Sequence, residues 1–204
     1  MDKIYSILEA NSNEVIINKS RFIANLIPVT NLLQVQQSLT EIKNSHPKAN
    51  HHCYAYIIGS NKNYQKFDDD NEPSGSAGLP ILNILQHANL TNILIIVTRY
   101  FGGIKLGMGG LIRAYQAAAK EVIAKSPINI QELYNLYYIE TDYTMADKIK
   151  NYLQQKITIS NIEYLAHVKI CFFAKSQDQQ TIENELSNIL SMQLSLHYLG
   201  TDYI

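Results

Sequence analysis

Ile93-Leu94-Ile95-Ile96-Val97-Thr98-Arg99-Tyr100-Phe101-Gly102-Gly103-Ile104-Lys105-Leu106-Gly107-Met108-Gly109-Gly110-Leu111 is the stretch on which the fold class turns. Its first five residues are apolar and mostly β-branched. The run is too short for a buried helix, so it predicts a strand covered on both faces. The glycine-rich loop Gly102 to Gly110 then opens a helix expected to reach about Lys125. Leu111, Tyr115, Ala118 and Val122 lie on one face of it, and Ser126-Pro127 stops it. Strand, glycine loop and helix in succession read as α/β.

The flanking sequence extends this pattern. Val15 to Ile17 and Arg21 to Val29 alternate as strands joined by a hairpin turn at Asn18-Lys19. Asn31, with Gln34 three residues on, caps a helix whose apolar face is Leu32, Val35, Leu39 and Ile42, and His46-Pro47 ends it. Cys53 to Ile58 is apolar at both parities, as a mid-sheet strand should be. Tyr64 to Phe67 leads to an acidic turn, after which Ser76 is expected to cap a helix over about Ala77 to His87, with Leu79, Leu82, Ile84 and Leu85 apolar.

Beyond Pro127 the order becomes strand (Tyr137 to Tyr143), helix (Met145 to Gln155), strand (Ile157 to Tyr164), strand (Ala166 to Phe173), helix (Gln177 to Leu190) and strand (Leu194 to Leu199). Thr144 with Asp147, and Ser176 with Gln179, read as capping boxes. The series βαββαβ predicts a ferredoxin-like sandwich. The expectation is an α+β protein of two domains, residues 1–127 and 128–204.

Composition narrows the function classes. With 204 residues, 46% hydrophobic and 17% charged, the chain is an ordinary globular one. No apolar run approaches about 20 residues, which excludes a spanning helix. Met1-Asp2-Lys3-Ile4 lacks the basic-then-apolar pattern of a secretory signal, and Cys53 and Cys171 stand far apart, so reduced thiols in the cytoplasm are expected. The formal charge of −1 is unevenly spread. Residues 1–126 carry 12 Lys and Arg against 9 Asp and Glu, whereas residues 127–204 carry 5 against 9. The first part therefore suits an anionic partner. All three arginines, Arg21, Arg99 and Arg113, lie there, each beside an aromatic or a glycine cluster. Arginine's flat fork suits phosphate.

Seven of the nine glycines fall between Gly75 and Gly110, so this is where chemistry is sought. A glycine loop at a helix start exposes N–H groups to an anion. The loop is not a Walker motif, because Met108-Gly109 stands where Lys-Ser/Thr is required, and it lacks the third glycine of a dinucleotide fingerprint. The turn Asp68-Asp69-Asp70-Asn71-Glu72-Pro73-Ser74-Gly75-Ser76 offers carboxylates that suit Mg²⁺ or could answer the arginines. Neither Ser74 nor Ser76 sits in a nucleophile elbow. His51 and His52, adjacent on a strand, point apart and do not share an ion. No metal or cofactor is expected.

Four motifs carry a resemblance. They are Ser20-Arg21-Phe22-Ile23, His52-Cys53-Tyr54-Ala55-Tyr56, Asp69 through Gly78, and Val97 through Leu111 continuing to Arg113-Ala114-Tyr115. Together they resemble the IMPACT/YigZ family over residues 20–115, and the tail is similar in element order to the C-terminal domain of the bacterial branch. The resemblance implies a ribosomal-protein domain-2-like α/β domain followed by a ferredoxin-like one, a pair similar to the last two domains of elongation factor G. It also implies a role in translation. Eukaryotic relatives regulate translation by binding the activator of the amino-acid-starvation kinase through a protein that carries an extra N-terminal domain. That domain is not recognised in this sequence, so the partner is not carried over. Asn71 stands where the family pattern has glycine, and asparagine tolerates the same left-handed backbone.

Two classes of function follow. In the first, a non-catalytic module binds RNA or the ribosome through Arg21, Arg99, Lys105 and Arg113, with Tyr100 and Phe101 for stacking and the backbone of Gly102, Gly103, Gly107, Gly109 and Gly110 for phosphate. In the second, an enzyme of phosphoryl transfer or hydrolysis uses the loop for phosphate and Asp69, Asp70 or Glu72 for metal or base, beside Ser74 and Ser76. His52 and Tyr54 belong to the motif set without an assigned role. A protein partner in the translation machinery is a third expectation, and no membrane is implied.

Overall fold

The two apolar runs, Cys53 to Ile58 and Ile93 to Val97, lie side by side in the computed structural model, which describes residues 3–204. Met1 and Asp2, the first two residues of the expected N-terminal domain, lie outside the described residues. The chain divides into two compact units, Ile4–Ile130 and Gln131–Ile204, with Lys3 belonging to the second. Both are mixtures of sheet and helix, one ribosomal-protein domain-2-like and the other ferredoxin-like.

In chain order β1 (Lys3–Ser6), of which Ile4–Ser6 fall in the first unit, is followed by β2 (Asn11–Ile17) and β3 (Ser20–Pro28), then α1 (Leu32–Ser45), β4 (His51–Ile58) and β5 (Tyr64–Asp68). The unit closes with α2 (Gly78–His87), β6 (Ile93–Tyr100) and α3 (Gly107–Ala124). Five strands form one antiparallel sheet in the order β2-β3-β6-β4-β5. Asn18 and Lys19 both take positive φ, the geometry that a two-residue hairpin demands. Period-two alternation then sorts the side chains. Phe22, Ala24, Leu26, Cys53, Ala55, Ile57, Ile93, Ile95 and Val97 pack under α2 and α3. Tyr56, Ile58, Leu94 and Ile96 face Val35 of α1, with Leu39 and Ile42 alongside. A sheet with helices on both faces explains why its central strands are apolar at both parities.

In the second unit, β7 (Asn129–Thr141), α4 (Tyr143–Lys156), β8 (Thr158–Tyr164), β9 (Val168–Ala174), α5 (Gln179–Leu190) and β10 (His197–Tyr203) follow the expected βαββαβ order. Antiparallel pairing sets the strands as β10-β7-β9-β8. Ile149, Leu153, Ile182 and Leu186 of the helices bury against Tyr137, Ile139, Val168, Ile170 and Phe172. A register shift after Ile159 puts both Ile159 and Ile162 toward this core although they differ in parity.

Several local expectations are corrected. Ser76 does not cap α2, whose N-cap position is Ala77, without a side-chain bond. Leu79 points outward at 38% exposure, and Ile81 takes the buried place instead. Leu32 is likewise exposed. Asp142, not Thr144, caps α4 by accepting from the Met145 N–H, which ends β7 at Thr141. A 3₁₀ turn over Ser176–Asp178 precedes α5, so Ser176 caps nothing there. The last strand starts three residues later than expected, because Leu194 and Leu196 are tied by their N–H groups to Ser187 and Glu183. The helix after the glycine loop begins inside it, at Gly107.

Burial predicts which leucines of α2 matter. Leu85→Ala, at a fully buried position, should cost about 2–5 kcal/mol in urea unfolding, whereas Leu79→Ala should stay within about 1 kcal/mol. Equal losses at the two positions would contradict the assignment of the buried face.

Candidate functional site

Four segments of the first unit converge beside the start of α3. They are the start of β4, the acidic turn after β5, the end of β6 and the glycine loop. Together they line a cleft of about 390 Å³. The β4–β6 register sets His51 opposite Arg99. The Asn50 N–H donates to the Arg99 carbonyl at 2.9 Å, and the Phe101 N–H donates to Asn50 Oδ1 at 2.8 Å. These bonds hold the end of β6 open toward the loop.

At the floor, Glu72 and Arg99 form a buried ion pair. Their side chains are 4% and 7% exposed, and Arg99 Nη1 donates to Glu72 Oε1 at 2.6 Å. The Tyr115 hydroxyl, reaching from α3, donates to the same oxygen at 2.8 Å. His51 Nε2 stands 3.8 Å from it. His51 Nδ1 lies 2.8 Å from the Asp70 carbonyl, which can only accept, so Nδ1 carries the proton. The Arg99 guanidinium lies between the rings of Phe22 and Phe101, 5.5 Å from each centroid. Burial drives the Tyr115 phenol and the Cys53 thiol well above their ordinary pKa values, so both stay protonated. The Cys53 thiol sits 3.0 Å from the Asp69 carbonyl and 3.3 Å from the Tyr115 hydroxyl.

The acidic turn is fastened by its own carboxylates. Asp69 Oδ1 accepts from the N–H groups of Ala77 and Gly78 at 3.0 and 2.8 Å, and Oδ2 from Gly75 at 2.8 Å. Asp69 thus does for α2 what Ser76 was expected to do. The Ser76 hydroxyl is buried without a partner among the described residues, and Ser74 is exposed. Asp70 Oδ2 accepts from the His52 N–H at 2.5 Å, and Asp70 and Asn71 both take positive φ, as expected for Asn71. Among the described residues no group of three or more His, Cys, Asp or Glu side chains is placed to hold a metal ion.

The sequence-selected residues do not form one surface. Arg99 is buried in the ion pair. Arg21, on the other face of the sheet, makes a two-point bond to Glu14 at 3.1 and 2.8 Å and lies 5.3 Å from the Tyr100 ring. The Tyr100 hydroxyl is 3.0 Å from His46 Nδ1, also away from the cleft. His52 is buried beside Thr98 Oγ1 at 3.1 Å, and burial lowers its pKa. Tyr54 stacks on Tyr56 on the α1 side. What remains near the cleft is Phe101, Lys105, Arg113 and the loop glycines. Gly102 is a packing requirement, since a Cβ there would fall 2.0 Å from the Lys19 carbonyl carbon. Gly107 takes φ +66° where α3 begins. Gly103 is exposed, and Gly109 and Gly110 lie in the first turn of α3.

Three residues of the site were not assigned to it from the sequence. Asn50 and His51 enter the site through the β4–β6 register, which no local pattern reveals. Tyr115 was read as core, and its ring is buried, but its hydroxyl is what reaches Glu72.

Residues 18–123 match the family model described as the Impact N-terminal domain, and residues 139–191 match one described as a domain of unknown function, DUF1949. The chain is 36% identical over 186 residues to the IMPACT family member YvyE of Bacillus subtilis (strain 168), covering 91% of this chain and 86% of that one. It is 33% identical over 155 residues to the IMPACT family member YigZ of Escherichia coli (strain K12), covering 74% and 76%. A solved structure described as a hypothetical protein superposes with TM-score 0.71 at 27% identity over 98% of both chains.

The capping arrangement has a measurable consequence. Asp69→Ala, which strips the acceptor from three N–H groups, should lower stability by about 2 kcal/mol in denaturant melts. Ser76→Ala should leave stability unchanged or raise it, because it removes a buried hydroxyl that has no partner. The reverse ranking would restore Ser76 as the cap.

Proposed function

The chain belongs to the IMPACT family, and from that premise we propose that its first unit is a non-catalytic RNA-binding module that works at the ribosome in translation regulation. One observation carries this reading. Lys105 and Arg113 are exposed and make no ion pair among the described residues; Lys105 lines the cleft with the exposed ring of Phe101, and the Arg113 guanidinium reaches back over Gly109 in the first turn of α3, a helix that begins without a side-chain cap. Cations with no acidic partner, an aromatic face and uncapped N–H groups together suit a phosphate backbone with unstacked bases. Ile104 and Met108, exposed in the same loop, supply further apolar area. The basic balance of residues 1–126 agrees with an anionic partner.

An enzyme built on the acidic turn has less support. Mg²⁺ requires free carboxylate oxygens, whereas both oxygens of Asp69 and one of Asp70 already accept backbone N–H bonds. A protein partner of the translation machinery is the outcome to infer if RNA fails to bind. No described helix is long and apolar enough to cross a membrane. The proposal places the protein in the cytoplasm, with the ribosome.

Binding of a fluorescent single-stranded RNA should weaken steeply with salt, with a log–log slope of about −0.7 for each phosphate contacted. Lys105→Ala and Arg113→Ala should each make that slope shallower by about 0.7, with unchanged melting. Arg21→Ala should leave it alone, since Arg21 is engaged by Glu14 on the other face. Salt-independent binding, or slopes unchanged in both loop variants, would overturn the proposal.

A further inference from the structure

We propose that the cleft beneath the glycine loop receives a single unstacked guanine base of the bound RNA, whose Watson–Crick donors meet Glu72 Oε2; this rests on the RNA-binding reading and specifies it. Glu72 is more than nine-tenths buried, and Oε1 already takes Arg99 and Tyr115. Oε2 accepts from no group among the described residues, yet it is not sealed from solvent and its side chain lines the cleft. A carboxylate oxygen held at the floor of a cleft requires a donor from whatever enters.

Charge decides what kind of donor. Arg99 already answers the Glu72 carboxylate, and Lys105 adds a second cation at the rim. Among the side chains that line the cleft, Arg99 and Lys105 outnumber Glu72, and Asp69 and Asp70 are turned to backbone N–H groups, so an incoming amine cation would meet net positive charge there. A neutral N–H edge attached to a phosphate would not, and that combination is a nucleotide. The walls agree. Phe101, Leu106, Met108 and Leu111 give apolar surface for a flat ring, and about 390 Å³ accommodates one base.

Hydrogen-bonding order selects the base. Guanine presents two adjacent donors, N1–H and N2–H, beside the acceptor O6. Asn50 Oδ1 is fixed by the Phe101 N–H, which leaves the Asn50 amide N–H groups at the rim as donors for O6. Adenine and cytosine carry one amine beside an acceptor, and uracil carries one N–H between two acceptors. Only guanine sets two adjacent N–H donors against the two lone pairs of Oε2, with O6 beside them for the Asn50 amide; each of the other bases reaches Oε2 with a single donor.

The test uses the full-length protein and uridine hexamers carrying G, inosine, A, C or U at one central position, measured by fluorescence anisotropy. The G hexamer should bind about tenfold more tightly than the A and U hexamers. Inosine, which lacks the N2 amine, should bind more weakly than G. Equal affinity across the series with salt dependence retained would overturn the guanine pocket and leave RNA binding standing. No binding of any hexamer would overturn both. Glu72→Gln should abolish the preference for G. Because that variant removes the charge that answers buried Arg99 and so puts folding at risk, Met108→Ala provides a second arm at an exposed position. It should weaken the G hexamer while leaving the salt slope unchanged, and an unaltered affinity would count against the base lying in this cleft.

Discussion

The Glu72–Arg99 ion pair is the constraint on which the first unit's site depends. Two charges at 2.6 Å with almost no exposure depend on their partners, because an unpaired buried charge costs several kcal/mol, although Arg99 Nε is left buried without one among the described residues. Those partners come from separate parts of the chain: Arg99 from β6, Tyr115 from α3, His51 from β4 and Glu72 from the turn before α2. The pair therefore joins four segments at one point. It also fixes where the glycine loop starts, since Phe101 follows Arg99 and packs its ring over the guanidinium. The cleft is what this junction leaves open.

Asp69 provides the second fastening. By accepting three N–H bonds it gives α2 its start and holds the turn that presents Glu72. The acidic cluster is thus consumed from within: Asp69 and Asp70 secure backbone, and Glu72 secures Arg99. Among the described residues, this division leaves Lys105 of the loop and Arg113 of α3 without an ion pair. Gly102 belongs with the fastenings, because its missing side chain lets the loop lie against the β2–β3 turn. The glycines of the loop therefore divide between packing and access.

Much of the fold was legible because it depends on local chemistry. Apolar residues at both parities in Cys53–Ile58 and Ile93–Val97 reported a sheet covered twice, Asn18-Lys19 reported a hairpin, and the βαββαβ order reported the second unit. The Asn31 cap of α1 forms as expected, whereas the caps read at Ser76, Thr144 and Ser176 were misassigned for a physical reason. A capping-box pattern looks three residues ahead, whereas Asp69 reaches Gly78 from nine positions upstream, and Asp142 caps from two residues before Thr144, inside the segment read as strand. The site was legible in its residues but not in its grouping. Arg99 and Tyr100 are neighbours in a strand and so face opposite sides, and Arg21 pairs with Tyr100 in register and shares its side. Proximity of arginines to aromatics in sequence therefore did not mean one surface. Asn50 carried no signal, and His51, weighed in the sequence only as a metal ligand, is brought to Arg99 by the register.

Mapping by NMR tests the central claim, that the junction around Glu72 and Arg99 is where RNA meets the protein. Titrating a short single-stranded RNA into ¹⁵N-labelled protein should shift the amides of Asn50, His51, Glu72 and Phe101 through Leu111 together, at one common affinity. Shifts confined to the Arg21–Glu14 side of the sheet or to the second unit, with the cleft amides unmoved, would contradict the account.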